Sequence, residues 1–420
     1  MIKTISLLPG ITLRCFPEKR FKRGYLSLQW IRPMDRKENA LNALLPAVLA
    51  RGTERYPDLR AITIRLDDLY GAAMGGIVRQ IGDYHAFGMG FGFVDDRFAL
   101  GEDKILEQVL EFAGEVLLNP RLEKGTFVPD VVESEKKNMI AGIEALYNNK
   151  RQYADVRLLQ ILCREDLRGI PRLGTPEQVA QITPEALYAH YKKVLQTSPV
   201  EIFYVGAAEP ERVAQMLKKV LSGISRRPET LPAQTGFRDG GASREIEEVD
   251  VVQGRLGLGF VTPITRKDPR YAAMCVCNAV LGASMISKLF MVIREKLSLC
   301  YDIDSEYMST KGLLMVTAGI DCGKYDQVRQ QILEQVDSCK AGDITETELS
   351  AAKERLISGL KRVHDSASMM EGYYTIGVLT GQIEDPEAAI EKIRRVTRED
   401  VAAAAQTLQL HTEYFLKGVQ

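Results

Sequence analysis

The spacing of hydrophobic residues divides the chain into strands, with a period of two, and helices, with a period of three to four. Residues 69–96, LYGAAMGGIVRQIGDYHAFGMGFGFVDD, alternate in character and predict consecutive antiparallel strands with short turns. Residues 41–53, LNALLPAVLARGT, place their apolar side chains on one helical stripe that closes at Gly52. The same two patterns recur throughout the chain, so both helices and sheets are expected.

Helix-start signals follow the strand groups in each half of the chain. Thr175 precedes Pro176 and Gln178, which is the pattern of a capping box with proline at the first helical position. Thr345 with Glu348 repeats the capping logic. Because strands come in neighbouring groups and helices follow them, we predict an α+β fold in which each half is an antiparallel sheet backed by helices.

The sequence contains two repeated segments, and the first repeats with an offset of 230 residues. Residues 24–37, GYLSLQWIRPMDRK, match residues 254–267, GRLGLGFVTPITRK, at six positions. Residues 182–206 and 396–418 form a second pair, each with a capped helix followed by a strand. Two pairs in the same order indicate a duplicated domain.

A linker is predicted between the two copies at residues 225–244. The stretch SRRPETLPAQTGFRDGGAS has two prolines, three glycines and no apolar period, which is typical of a linker. The predicted domains are therefore residues 1–224 and 245–420.

Composition narrows the class of protein. A chain of 420 residues is too long for one ordinary core, and its net charge of −1 gives no reason to expect nucleic acid or an anionic membrane surface as a partner. No window approaches about 20 uninterrupted apolar residues, so no membrane span is expected. The first residues are too short and too interrupted for a secretory signal, and seven scattered cysteines favour reduced thiols. We therefore expect a cytoplasmic protein.

Residues suited to self-contained catalysis are scarce. The four histidines, at positions 85, 190, 364 and 411, are too far apart in sequence for two of them to share one helical face, as a helical zinc site requires. We interpret His85 as a residue of a strand and His364 as a residue of a charged helix. Residues 87–93, FGMGFGF, lack the Lys-Ser/Thr of a phosphate-binding loop and predict a packed strand instead.

Several stretches resemble the pitrilysin/insulinase zinc metallopeptidases, the inverzincins, including their processing-peptidase-like members. The most specific is SKLFMVIREKLSLCYDI at residues 287–303. Others are LDDLYGAAMGG at 66–76, LRGIPRLGTPEQVAQITPEALYAHYKKVL at 167–195 and GDITETELSAAKERL at 342–356. The resemblance covers nearly the whole chain and implies two duplicated domains arranged as half of a clamshell.

In that family a helix carries H-x-x-E-H shortly before Gly-Thr, and a glutamate on a later helix completes the zinc site. Gly52-Thr53 sets the register of the match here. It places residues without metal-binding side chains at every functional position: Ala43 and Ala47 at the histidines, Pro46 at the glutamate that activates water, and Gly142 at the third ligand. None of these side chains can bind zinc or take a proton, so the resemblance implies no metal in this chain.

Arg294 and Tyr301 occupy the positions of the family's arginine–tyrosine pair. In the family this pair closes over the zinc-bearing half, where it helps to hold the peptide and to stabilise the oxyanion. Arginine offers a planar fork of donors, and a tyrosine hydroxyl can donate where negative charge develops. The structural alternative is that Arg294 caps the helix end or forms a salt bridge there, beside Glu295 and Lys296, while Tyr301 is half-buried in the sheet.

The resemblance implies the zinc-less subunit of a two-chain peptidase, inactive alone. A zinc-motif homologue would supply metal and base, and this chain would supply Arg294, Tyr301 and peptide-binding surface. The alternative is a non-catalytic structural or peptide-binding homodimer of the same fold. A third reading, an active zinc peptidase with relocated ligands, requires a His/Glu constellation that the sequence does not display.

Overall fold

The structure, a computed structural model, describes residues 2–418. Its strands are β1 (Lys3–Leu8), β2 (Ile11–Pro17), β3 (Arg23–Pro33), β4 (Ala73–Ile81), β5 (Tyr84–Val94), β6 (Leu122–Glu123), β7 (Thr126–Phe127), β8 (Val200–Gly206), β9 (Ser243–Val249), β10 (Gly254–Val261), β11 (Cys300–Met308), β12 (Leu313–Ile320) and β13 (Gln409–Gly418).

The α-helices carry the apolar stripes that cover these strands. They are α1 (Asn39–Leu49), α2 (Leu59–Asp68), α3 (Ile105–Leu118), α4 (Pro129–Asn148), α5 (Lys150–Leu162), α6 (Pro176–Ala180), α7 (Pro184–Thr197), α8 (Pro210–Val220), α9 (Tyr271–Leu281), α10 (Tyr325–Ala341), α11 (Glu346–Lys361), α12 (Ala367–Thr380), α13 (Pro386–Arg395) and α14 (Arg398–Ala405). The predicted capping boxes begin α6 and α11, where Thr175 and Thr345 accept from the amides of Gln178 and Glu348.

Two larger sheets share one internal topology. The first has the order β1-β2-β8-β3-β5-β4, and the second has the order β11-β12-β10-β13-β9. In the first, β3 pairs antiparallel with β5 and β8, and β8 runs parallel to β2. In the second, β10 pairs antiparallel with β12 and β13, and β13 runs parallel to β9. The prediction of an α+β fold made of two duplicated, helix-backed sheets is therefore confirmed.

The chain forms two compact units, and each unit includes a segment from the other half of the sequence. The first unit contains the residues up to Glu144, Ile170–Gln234 and Asp365–Thr375. The second contains Ala145–Gly169, Thr235–His364 and the residues from Ile376 onwards. These units differ from the predicted domains because 145–169 and 365–375 each cover a sheet face of the opposite sequence half. The division at Gln234 falls inside residues 224–242, which have neither helix nor strand.

In the first unit, the helices cover one face of the sheet with a continuous apolar core. Phe87, Met89 and Phe91 of β5 are fully buried in the same cluster as Leu44 and Leu45 of α1. The FGMGFGF stretch is therefore a packed strand, as predicted, because every second side chain enters this core.

In the second unit, α5 packs on the face of the sheet that lies opposite the main apolar core. Two glycines of β10 leave space for the helix there. A Cβ added at Gly257 would lie 2.9 Å from Leu158 Cδ2, and one added at Gly259 would lie 3.0 Å from Leu162 Cδ2. The small residues of this strand therefore let two leucines of the helix approach the backbone closely.

The two aligned positions of the first unit carry polar side chains. Ser27 and Gln29, which the 230-residue offset aligns with those two glycines, both donate to the fully buried Glu371 of α12, over 2.9 and 2.8 Å. Arg79 of β4 adds a two-pronged contact to the same carboxylate, with both distances 2.9 Å. At these two aligned strand positions the contact with the covering helix is therefore apolar in the second unit and ionic in the first.

No helix within residues 2–418 combines the length and the apolar character that a membrane crossing requires. All seven cysteines fall inside that range, and each is a free thiol.

Candidate functional site

Helix α1, which carries three of the four predicted counterparts of the family's zinc-site residues, is packed against the sheet by apolar side chains. Ala43 is only 6% exposed, and Ala47 is half-buried. Pro46 lies inside the helix, and its Cβ would be 3.2 Å from a Cβ added at Gly76 of β4. The helix therefore presents a packed hydrocarbon surface at these positions.

Gly142, the fourth position, is exposed on α4, and a Cβ added there would meet nothing within 4 Å. Glu135, on the same helix, forms an ion pair with Arg51 over 3.3 Å. Within residues 2–418 there is no group of three or more His, Cys, Asp or Glu side chains that could hold a metal. The residues present at the zinc-site positions do not fit the ion.

Two histidines that are distant in sequence meet in the core of the first unit. Asn42 of α1 donates from Nδ2 to His85 Nδ1 over 3.3 Å, and its Oδ1 lies 2.7 Å from His190 Nε2 of α7. Burial lowers the pKa of each histidine to about 4. Separation in sequence excluded only a shared helical zinc site, and the fold brings these two histidines together around an amide, in a hydrogen-bonded network without a carboxylate.

Arg294 lies on a π-helix, Leu289–Lys296, between α9 and β11. Its side chain is 41% exposed, and its guanidinium lies over the Phe290 ring, 4.7 Å from the ring centroid. The only ion pair of Arg294 within residues 2–418 joins it to the adjacent Glu295, over 3.8 Å and in solvent, which contributes little. The guanidinium is therefore supported from one side by a ring and keeps most of its donors available.

Tyr301 lies where β11 departs from regular pairing. Cys300 pairs with Ile320 and Asp302 pairs with Gly319, so Tyr301 is the extra residue of a β-bulge. Ser298, just before the strand, has a φ of 50°, in the left-handed region that non-glycine residues rarely adopt. The bulge points Tyr301 outwards, and 54% of the residue is exposed.

The Tyr301 hydroxyl donates to Asp321 Oδ1 over 2.9 Å. This hydrogen bond raises the pKa of Tyr301 and lowers the pKa of Asp321, because it favours a protonated phenol beside an ionised carboxylate. Lys324 also forms an ion pair with Asp321, over 3.3 Å. The phenol is therefore held as a hydrogen-bond donor.

The structure corrects one part of the structural alternative and agrees with another. Tyr301 is exposed and not half-buried, because the bulge removes it from the regular alternation of β11. Arg294 does form a salt bridge at the helix end, with Glu295. Sequence reasoning missed Phe290 and Asp321. Phe290 is four residues before Arg294, so the helical spacing could have indicated their contact. Asp321 follows β12, and its contact with Tyr301 depends on the pairing of β11 with β12, which the sequence does not specify.

Comparison with known proteins gives the family. Residues 181–356 match the family description "Peptidase M16 inactive domain". The chain is 30% identical over 413 residues to the probable inactive metalloprotease YmfF of Bacillus subtilis, covering 98% of this chain and 96% of YmfF.

Solved structures agree over the full length. A conserved protein from Enterococcus faecalis V583 has a TM-score of 0.93 at 26% identity, covering 100% of this chain and 99% of that one. A peptidase M16 inactive domain from Pseudomonas fluorescens has a TM-score of 0.82 at 19% identity, covering 100% and 98%, and shares the fold. The resemblance drawn from the sequence is therefore confirmed: the chain belongs to the M16 peptidase family and is similar over its whole length to a member named inactive.

Proposed function

We propose that this chain is the zinc-less subunit of a cytoplasmic two-chain peptidase, and that it binds peptides and complements a zinc-bearing homologue in peptide-bond hydrolysis. The partner would contribute the metal and the general base, which the packed surface of α1 cannot provide. This chain would contribute donors to the peptide and part of the binding surface.

The observation that carries the proposal is the exposure of both Arg294 and Tyr301 beside irregular backbone. A π-helix and a β-bulge both interrupt regular structure, and both are frequent near functional sites. Interior packing requires neither side chain, since both reach solvent. Their chemistry, a guanidinium fork and a protonated phenol, suits a carbonyl oxygen or a developing oxyanion.

The surroundings of the pair suit a peptide. Strand β11 is an edge strand of its sheet, so one side of its backbone is open to pairing with an extended chain. Met285, Met291 and Leu297, close to Arg294 in sequence, are exposed apolar side chains that adapt readily to varied partners.

One observation favours the alternative, a non-catalytic homodimer that serves as a structural or peptide-binding protein. Tyr301 already has a hydrogen-bond acceptor within the chain, Asp321, so its hydroxyl is satisfied without a substrate. In that case removal of the hydroxyl would change local structure only.

The test is reconstitution with a zinc-motif homologue from the same organism, followed by kinetics on a fluorogenic peptide library. We expect cleavage by the mixture and not by this chain alone. Arg294→Ala should lower kcat/KM of the mixture about 100-fold, and Tyr301→Phe about 10- to 100-fold, because each removes a donor to the transition state.

Matched controls are Arg355→Ala and Tyr147→Phe, which remove an exposed guanidinium and an exposed phenol elsewhere on the chain. The controls should leave kcat/KM within twofold of the wild type. Association of the two chains with equal activity for wild type and both site variants would overturn the assigned roles. A self-associated chain that never changes the homologue's activity would establish the homodimer instead.

A further inference from the structure

A cavity of about 550 Å³ opens in the second unit, at the loop between β10 and α9. Its walls come from residues 266–273, the loop at 382–384, and helices α13 and α14. The volume lies within the roughly 300–1,000 Å³ range of small-molecule sites. The cavity contains neither Arg294 nor Tyr301, so it is separate from the proposed peptide site.

The lining is unusually cationic for a chain whose net charge is −1. It contains five basic and three acidic residues: Arg266, Lys267, Arg270, Lys392 and Arg395, with Asp268, Glu384 and Asp400. Excess positive charge in a concave wall raises the local concentration of anions.

Two of the three carboxylates form ion pairs within the cavity, and the third, that of Asp400, is hydrogen-bonded but keeps its charge. Asp268 binds Arg270 over 2.8 Å, and Glu384 binds Lys392. The third carboxylate, that of Asp400, accepts from the amide that begins α14.

Three cations are left without a carboxylate partner among residues 2–418. Lys267 and Arg395 have no ion pair, and Arg266 contacts only an aromatic side chain, lying 5.6 Å from the centroid of the Tyr271 ring. Within the cavity, then, Arg266, Lys267 and Arg395 are the groups available to an anion.

The duplication shows that an open cavity is not dictated by the fold. In the first unit, the corresponding loop after β3 is closed by residues 171–178. Asn39 donates to the Pro171 carbonyl over 2.7 Å, and Gln178 donates to the Arg36 carbonyl over 2.8 Å. A Cβ added at Gly174 would lie 2.7 Å from Ala40 Cβ, so no space remains there.

At the aligned position the second unit has Arg270 in place of Ala40, and the loop at 382–384 leaves the cavity open. Arg266 and Lys267 are the counterparts of Arg36 and Lys37, so the basic pair is common to both copies. In the first copy the pair is exposed on the surface, whereas in the second copy it lines the cavity.

We propose that this cavity binds a small polyanion, a molecule carrying two or more phosphate or carboxylate groups. Arg266, Lys267 and Arg395 would be its principal ligands. Arginine offers two parallel donors to a phosphate or carboxylate, and lysine adds a point charge. The exposed Ile383 at the rim would contact an apolar part of the molecule.

The test is isothermal titration of the full chain with pyrophosphate, ATP and citrate at low and physiological salt. We expect saturable one-to-one binding of at least one probe, with phosphate and carboxylate sources separated by comparing pyrophosphate and citrate. The double variant Lys267→Gln/Arg395→Gln should weaken that binding at least about tenfold, since each change removes a charge-assisted contact. Arg60→Gln/Lys218→Gln removes two exposed cations from the first unit and should leave affinity unchanged.

A reporter locates the bound molecule. Ile383→Trp places an indole at the cavity rim, whereas the natural Trp30 is buried in the core of the first unit. Binding should change the emission of the added tryptophan. Absence of saturable binding in the wild type, or equal affinities for the double variant and its control, would overturn the proposal. Neither result depends on a zinc-bearing partner or on peptide cleavage.

Discussion

Asn42 joins two neutral histidines in an interior where burial outweighs the attraction of the Glu38 carboxylate for a charged His190. With His85 Nδ1 accepting from the amide, the neutral ring carries its proton on Nε2, which is buried and has no partner among residues 2–418. Protonation would place a hydrogen on Nδ1 and break that bond. The network therefore tolerates the neutral rings and resists the charged ones, in agreement with the lowered pKa values.

This network predicts a loss of stability in mild acid. The folded pKa of each histidine, about 4, lies below its ordinary value of 6.5, so the unfolded chain binds protons more readily between those values. The free energy of unfolding should therefore be fully retained above pH 6.5 and should fall by about 2 kcal/mol per histidine by pH 5. Urea denaturation between pH 7.5 and pH 5 measures this slope.

The comparison variants are His85→Gln and His364→Gln, since His364 lies outside the network. His85→Gln should reduce the pH dependence of the free energy of unfolding by the contribution of one histidine, whatever its effect on stability at pH 7.5. The second should leave the slope as in the wild type. Parallel slopes for the wild type and His85→Gln would contradict the account.

At the scale of elements, α1, the predicted counterpart of the family's metal-binding helix, has a proline in its interior. Proline at position 46 removes an amide that would otherwise donate to the Asn42 carbonyl, and its ring packs beside β4. An interior proline costs about 3 kcal/mol relative to alanine, partly offset by its restricted unfolded state and by the packing of its ring. The helix therefore accepts at position 46 a residue that disfavours helical structure.

We expect Pro46→Ala to raise the free energy of unfolding by about 1–2 kcal/mol, because the helix regains a hydrogen bond. Chemical denaturation with a far-UV circular dichroism readout measures the change. Pro176→Ala is the matched control, since proline at the first turn of α6 removes no helical bond and the substitution should not stabilise. A Pro46→Ala protein less stable than the wild type would show that ring packing outweighs the missing bond.

Regular elements could be predicted from sequence, and irregular ones could not. The alternation over residues 69–96 predicted β4 and β5, and the capping signals at Thr175 and Thr345 predicted the starts of α6 and α11. The π-helix and the bulge at Tyr301 left no comparable signal. A π-helix and a β-bulge each contain an extra residue that tertiary packing accommodates. The hydrophobic periodicity of the sequence, two for strands and 3.6 for helices, does not predict where such residues occur.

At the scale of the whole molecule, duplication preserved strand order and varied the contacts on the sheet faces. The repeat at residues 24–37 and 254–267 was enough to predict two similar sheets. Helix α5 and part of α12 each belong to the unit formed mainly by the other half of the sequence. This could not be predicted, because nothing in either segment's sequence indicates which sheet it covers. The repeat aligns Ser27 and Gln29 with Gly257 and Gly259. This difference could be explained only once the helices that contact these residues were known.

We propose that this member of the M16 peptidase family has no metal site of its own and acts on peptides through a zinc-bearing partner. The most direct measurement is zinc content by mass spectrometry, with peptide cleavage, for the purified chain after equilibration with zinc. The account predicts well below one zinc per chain and no cleavage, with both appearing only when a zinc-motif homologue is added. One tightly bound zinc per chain, together with cleavage by the chain alone, would contradict it.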